Sequence, residues 1–138
     1  MRVFVDTNVL LDVLARREPF YADAARIWSL AERGKIEALI SAISYNNIYY
    51  VVRRASNRRS AEKGLRLIRN VFTPVPLTIM ILNQAIDAGF EDFEDALQFY
   101  SALHAEADCL ITRDADHFPS EDLPVLAPAA FLASLNPE

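Results

Sequence analysis

The feature that most constrains the fold is the opening stretch, where Val3, Phe4 and Val5 form an apolar run that Asp6 ends. Consecutive apolar residues suit a strand buried on both faces, the usual state of a central strand in a parallel sheet. Thr7 or Asn8 can cap a helix carrying Val9, Leu10, Val13 and Leu14. A carboxylate thus stands where a buried strand meets a helix start, at the edge where open parallel sheets bind ligands. On this stretch alone two roles are open to Asp6: a functional group, or a helix cap.

The same alternation continues along the chain. A helix over 21–33 carries Ala24, Ile27, Trp28 and Ala31 on one face and stops at Gly34, and residues 36–40 form the next strand. A third helix presents Ile48, Val51, Val52 and Ala55. A fourth, over 59–69, buries Ala61, Gly64, Leu65 and Ile68, with the glycine allowing close approach. Val71 and Phe72 open a third strand that Pro74 and Pro76 bracket. Thr78 caps a fifth helix using Leu82, Ala85 and Ile86, and Asp92 starts a sixth with Ala96, Phe99, Tyr100 and Leu103 inward. Strands over 108–112 and 123–126 and a last helix over 128–135 complete the pattern. Strands alternating with helices, with no linker between, predict an α/β three-layer sandwich: a central parallel sheet of about five strands flanked by helices, in one domain over 1–138.

Composition removes several classes. At 52% hydrophobic residues the chain can bury a full core, and its single cysteine, Cys109, excludes an internal disulfide. No apolar stretch has the length of a membrane span and the first residues lack a signal-peptide pattern, so a cytoplasmic location is expected. The net charge of −5 conceals two opposite segments: residues 53–69 sum to +6 and residues 87–122 to −10. The acidic segment suits a cation. The basic one (Arg53, Arg54, Arg58, Arg59, Lys63, Arg66, Arg69) suits either a polyanion or plain solvent.

Three glycines cannot build a dinucleotide or phosphate-cradling loop. Of the two histidines, His104 belongs on a helix flank and His117 near the acidic loop, so nucleophilic catalysis has little support. Carboxylates remain. Asp6 ends the first strand, Asp92 and Asp95 begin a helix on one face, and Asp114 and Asp116 follow a later strand. In a parallel sheet those positions share one edge. Separately, Asp92 and Asp95 read as a capping box, Asp6 as a helix cap, and Asp114 and Asp116 as solvated loop acids. Together they conflict, since unit charges about 4 Å apart repel by roughly 4 kcal/mol at an effective dielectric of 20. A hard divalent cation with oxygen ligands resolves the conflict.

Four stretches, in order, resemble the PIN-domain family, the nuclease fold that includes toxins of VapC type. They are Val3-Phe-Val-Asp-Thr-Asn-Val-Leu-Leu-Asp12, Ser41-Ala-Ile-Ser-Tyr-Asn-Asn-Ile-Tyr-Tyr50, Asp92-Phe-Glu-Asp-Ala-Leu-Gln98 and Ile111-Thr-Arg-Asp-Ala-Asp-His-Phe118. The resemblance implies a metal-dependent ribonuclease in which Asp6, Asp95 and Asp114 are the catalytic, metal-holding acids. Asp116 is a further metal ligand, and Asp92 and Asn47 are outer-shell groups. Asn47, with Asn46 beside it, stands where many relatives carry a carboxylate.

The leading expectation is a Mg²⁺- or Mn²⁺-dependent endoribonuclease in which a metal-bound water attacks the phosphodiester and leaves a 5′-phosphate. Arg53, Arg54, Arg58 and Arg59 would contact RNA phosphates without reading sequence. The partners implied are RNA, an antitoxin protein and a second copy of the chain, for which Tyr45, Tyr49 and Tyr50 are either interface or core; no membrane is involved. The competing class is a PIN-fold module that binds RNA or protein with a site weakened at Asn47. Phosphoryl transfer onto Asp6 fits less well, because Lys35 and Lys63 are the only lysines available.

Overall fold

A computed structural model describes residues 1–119 and 121–135. Its strands are β1 (Arg2–Val5), β2 (Glu37–Ser41), β3 (Thr73–Val75), β4 (Cys109–Ile111) and β5 (Val125–Leu126). Its helices are α1 (Thr7–Leu14), α2 (Tyr21–Glu32), α3 (Ala42–Ala55), α4 (Arg58–Val71), α5 (Ile79–Asp87), α6 (Phe93–His104) and α7 (Pro128–Ser134). The five strands form one sheet in the order β3-β2-β1-β4-β5 with every pairing parallel. Right-handed crossovers require helices on both faces of such a sheet. Here α1, α2, α3, α4 and α7 pack on one face, and α5 and α6 on the other.

Strand periodicity sorts the core. Val3 and Val5, Ala38 and Ile40, and Cys109 and Ile111 face the α1–α2 side. Phe4, Leu39 and Leu110 face the α6 side. Because β1 is central and covered on both faces, Val3, Phe4 and Val5 are all fully buried, as a continuous apolar run demands. The order reverses at β1, with β2 and β3 to one side and β4 and β5 to the other. The switch point of the sheet therefore lies between the C-terminal ends of β1 and β4.

Several boundaries differ from expectation. Residues 71–72 do not open the third strand: α4 continues to Val71, Phe72 ends it, and β3 starts at Thr73. On α5 the inward face is Ile81 and Ala85 rather than Leu82 and Ile86, because α5 packs chiefly against Ala96 and Leu97 of α6. Ile79, Met80 and Ile86 are left exposed. Tyr45 packs against the core while Tyr50 is exposed, which divides the tyrosines between the two readings. Cys109 is buried and free, its thiol pushed up to about 11 by burial and by Asp108. No described helix is long and apolar enough to cross a membrane.

Gly64 sits inside α4 where an added Cβ would meet only the Leu14 side chain, Cδ1 at 3.4 Å and Cδ2 at 3.7 Å. That is ordinary van der Waals contact, so the helix approach does not require glycine. Alanine costs less backbone entropy in a helix by about 0.8–1 kcal/mol. Gly64→Ala is therefore expected to stabilise the fold by up to about 1 kcal/mol, read as a higher urea midpoint at unchanged slope.

Candidate active site

Asp6 keeps an extended backbone (φ −67°, ψ 148°), so strand alternation continues through it and its side chain stays on the face of Phe4. The register pairs Phe4 with Leu110 and Val5 with Ile111, which brings Thr112 alongside. Its hydroxyl donates to Asp6 Oδ2 at 2.7 Å, and Asp6 N–H donates to the Ile111 carbonyl at 2.9 Å. The carboxylate makes no capping bond to α1 although it occupies the cap position, and neither Thr7 nor Asn8 is the cap. The helix-cap reading of Asp6 therefore fails. With 3% exposure, the carboxyl is pushed up to about 6. Burial is the main cause, the Thr112 hydrogen bond opposes it, and the charges of Asp95 and Glu94 add to it.

The second acid comes from α6, on the same side of the sheet. Asp92 is the cap here: its Oδ1 accepts from the N–H groups of Glu94 (2.8 Å) and Asp95 (3.2 Å). Asp95, three residues past the cap, is turned inward, and its carboxyl also rises to about 6. Burial dominates again, followed by Asp92, with Asp114 and Glu94 adding and His117 opposing. One turn on, Gln98 is fully buried and donates to Thr7 Oγ1 (3.1 Å) and Ser44 Oγ (3.4 Å), which bond each other at 2.7 Å. That cluster ties α6 to α1 and α3 beneath the acids and fixes their height above the sheet.

Beyond β4, the N–H of Asp114 donates to Thr112 Oγ1 at 3.1 Å, and Asn8 Nδ2 reaches its Oδ2 at 3.5 Å. The adjoining Arg113 turns the other way. Its Nε stands 2.9 Å from Asp12 Oδ2, and its guanidinium lies over the Phe20 ring, 4.1 Å from the centroid. Asp12 is 1% exposed, and burial raises its carboxyl while Arg113 and Arg17 pull it back. The loop bearing Asp114 is thereby clamped to α1. Asp116 lies in a 3-10 turn over Ala115–His117 and lines an open cleft of about 530 Å³ with Asp92, Asp95 and His117.

The fold thus brings Asp6, Asp95 and Asp114 to one edge, with Asp116 and Asp92 on the rim. Asn47, on the second turn of α3, is held to Glu94: its Nδ2 donates to Glu94 Oε2 at 2.8 Å. Sequence reading gave Glu94 no role. Its partner lies on another helix, 47 residues away, which helix periodicity alone does not reveal. The basic residues are not in this group. Arg53 and Arg54 end α3 and Arg58 and Arg59 begin α4, all exposed, with Arg58 paired to Glu62 at 3.0 Å. Arg54 lies seven residues past Asn47, about 10 Å along the helix axis. His117 Nδ1 stands 3.9 Å from Asp95, and His104 lies on a flank bonded to Gln84.

Residues 2–116 match the family model described as PIN domain. The chain belongs to the PIN-domain family. A curated relative, Ribonuclease VapC1 of Aquifex aeolicus (strain VF5), is 25% identical over 140 residues, covering 98% of this chain and 96% of the relative. Among solved structures, VapBC-1 from nontypeable Haemophilus influenzae superposes with a TM-score of 0.71 at 17% identity, over 94% of this chain and 99% of that one. A toxin-antitoxin complex from Klebsiella pneumoniae does so with 0.63 at 18% identity, over 91% and 97%. The three-layer parallel fold is that of these structures.

Among the described residues of this PIN domain, no group of three or more His, Cys, Asp or Glu side chains stands close enough together, as placed, to hold a metal ion. The donor set nonetheless fits Mg²⁺ or Mn²⁺. It is all carboxylate oxygen, and Mg²⁺ usually takes one or two protein carboxylates and keeps its waters. Asp6, buried among like charges, has no cationic side chain within ion-pair distance among the described residues.

The raised Asp6 pKa has a thermodynamic sign. The folded protein keeps a proton on Asp6 up to about pH 6, whereas an ordinary carboxyl loses it near 3.8. Stability present below pH 4 is therefore lost as pH rises through 6, by about 3 kcal/mol. Asp6→Asn carries no such charge. In chelator it is expected to melt above the parent at pH 8, with the gap closing toward pH 4, as thermal denaturation across that range will read.

Proposed function

We propose that this PIN-domain protein is a divalent-cation-dependent endoribonuclease. The observation that carries the reading is the Asp6 carboxylate, buried at the β1–β4 switch point near the charges of Asp95 and Glu94, with no cationic side chain in ion-pair distance among the described residues. Such a group is costly in a purely structural role and fits one that awaits a cation. Asp6, Asp95 and Asp114 would hold Mg²⁺ or Mn²⁺, with Asp116 as a further ligand and Asp92 and Asn47 supporting from outside. When bound, the cation lowers the pKa of a water and stabilises charge on a transferring phosphate. Thr112 orients Asp6, Asn8 steadies Asp114, and the buried Gln98 cluster holds α6 at its distance from the sheet.

RNA as substrate is supported by the similarity to the Aquifex ribonuclease and by the exposed basic residues at the α3–α4 turn. The likeness to chains of toxin-antitoxin complexes supports a protein antitoxin as partner. A second copy of the chain has exposed apolar side chains to meet on α5.

The decisive experiment incubates mixed RNA with the protein in Mn²⁺ or in chelator, beside Asp6→Asn. Cleavage that needs both the ion and Asp6 is the expected result, with a loss on the order of 10²-fold or more in the variant. RNA bound but left intact under every condition selects a binding module instead. In a second measurement, Arg53, Arg54, Arg58 and Arg59 are replaced by Ala. The salt dependence of RNA affinity should flatten by about 0.7 in log–log slope for each phosphate contact removed. An unaltered slope returns these arginines to a solvated face.

A further inference from the structure

Glu94 is a half-buried acid whose side chain is not free in solvent, although it lies in the first turn of α6. A first-turn carboxylate gains from the helix dipole wherever it points, so that effect does not explain its direction. It crosses instead to α3, where Oε2 accepts from Asn47 Nδ2 at 2.8 Å. Only the amide NH₂ can donate to a carboxylate, so the orientation of Asn47 is determined by Glu94. No Lys, Arg or His among the described residues comes within ion-pair distance of it. One neutral donor therefore holds a carboxylate whose charge is felt at both Asp6 and Asp95.

We propose that Glu94 is a further carboxylate of the site, supplied from α6 at the place where α3 carries the uncharged Asn47, and that Asn47 is the positioning residue that holds it there. The assignment rests on the cation reading above. Geometry favours it. Asp95 and Glu94 leave α6 about 100° apart, so one turn of helix sends one acid toward Asp114 and the other toward α3. Glu94 also lies one turn before Gln98, on the face that Gln98 anchors to Thr7 and Ser44. The longer glutamate stem spans the gap between the helices, and the Asn47 bond removes the rotamer freedom that such a stem otherwise keeps. The amide at position 47 is then no loss of charge from the site, because the charge arrives on the neighbouring helix.

The test is calorimetric titration with Mn²⁺ at pH 8, with the far-UV spectrum checking each variant's fold. Parent protein should bind, and Asp6→Asn should not. Glu94→Gln, close in shape, should bind between about ten- and a hundredfold more weakly, and Asn47→Leu should lie between it and the parent. The decisive variant is the exchange Asn47→Asp with Glu94→Gln, which reverses donor and acceptor and moves the charge across one hydrogen bond. It should recover affinity to within about threefold of the parent, as the repaired hydrogen-bonded pair requires. Parent-like affinity in Glu94→Gln, with Asp6→Asn inactive in binding, overturns the role of Glu94 and leaves the cation reading standing. An exchange no better than Glu94→Gln overturns the positioning role of Asn47. Absence of Mn²⁺ binding by the parent, or binding indifferent to Asp6→Asn, overturns the cation reading and this assignment with it.

Discussion

A carboxylate held out of water at the end of a central strand is the constraint around which this molecule is arranged. Asp6 is buried because β1 is covered on both faces, and it is kept from swinging into solvent by the Thr112 hydroxyl on the next strand. Burial makes its charge costly, and every group placed nearby either compounds or relieves that cost. Asp95 and Glu94 compound it, and Thr112 partly relieves it. The layers of the sandwich position these groups, but the electrostatics give the edge its chemical bias toward a cation.

The supports beneath the acids follow the same logic of paired burial. Gln98, Thr7 and Ser44 bring three helices to one buried polar knot. Burying such groups costs free energy unless they bond one another, so the knot specifies a single relative placement of α1, α3 and α6. Asp12 and Arg113 do the same at the periphery. An ion pair with one fully buried partner is weak evidence of net stability, yet breaking it leaves a charge stranded. The loop bearing Asp114 is therefore tied to α1 through the ion pair of Arg113 with Asp12.

Much of this was legible beforehand. Val3, Phe4 and Val5 announced a two-faced strand, and the strand–helix alternation implied a parallel sheet whose loops and helix starts share an edge. That edge placed Asp6, Asp95 and Asp114 in one neighbourhood without any distance being known. What periodicity could not supply was pairwise orientation. The extended backbone at Asp6, which turns its carboxylate toward Thr112 instead of the helix, depends on register with β4. Glu94 was hidden because its partner, Asn47, is 47 residues away in sequence. The misplaced start of β3 has a plainer cause: Val71 suits a strand by composition, and its place in the last turn of α4 is set by tertiary packing. On α5 the apolar residues surround the helix, so their pattern alone could not choose between Ile81 and Leu82.

The position of β4 beside β1 has a consequence in time as well as space. The two strands are joined by a long stretch of sequence, and the Thr112–Asp6 bond spans 106 positions. Such non-local pairings form late, since the chain between them must be closed first. During synthesis β1, β2 and β3 leave the ribosome well before β4, so the first half can collapse while Asp6 still lacks its neighbour. The acids at the sheet edge meet only when the strand carrying Thr112 and Asp114 docks. A nascent chain of this topology thus lacks the complete set of edge acids for most of its own translation, and gains it only when the final third has docked.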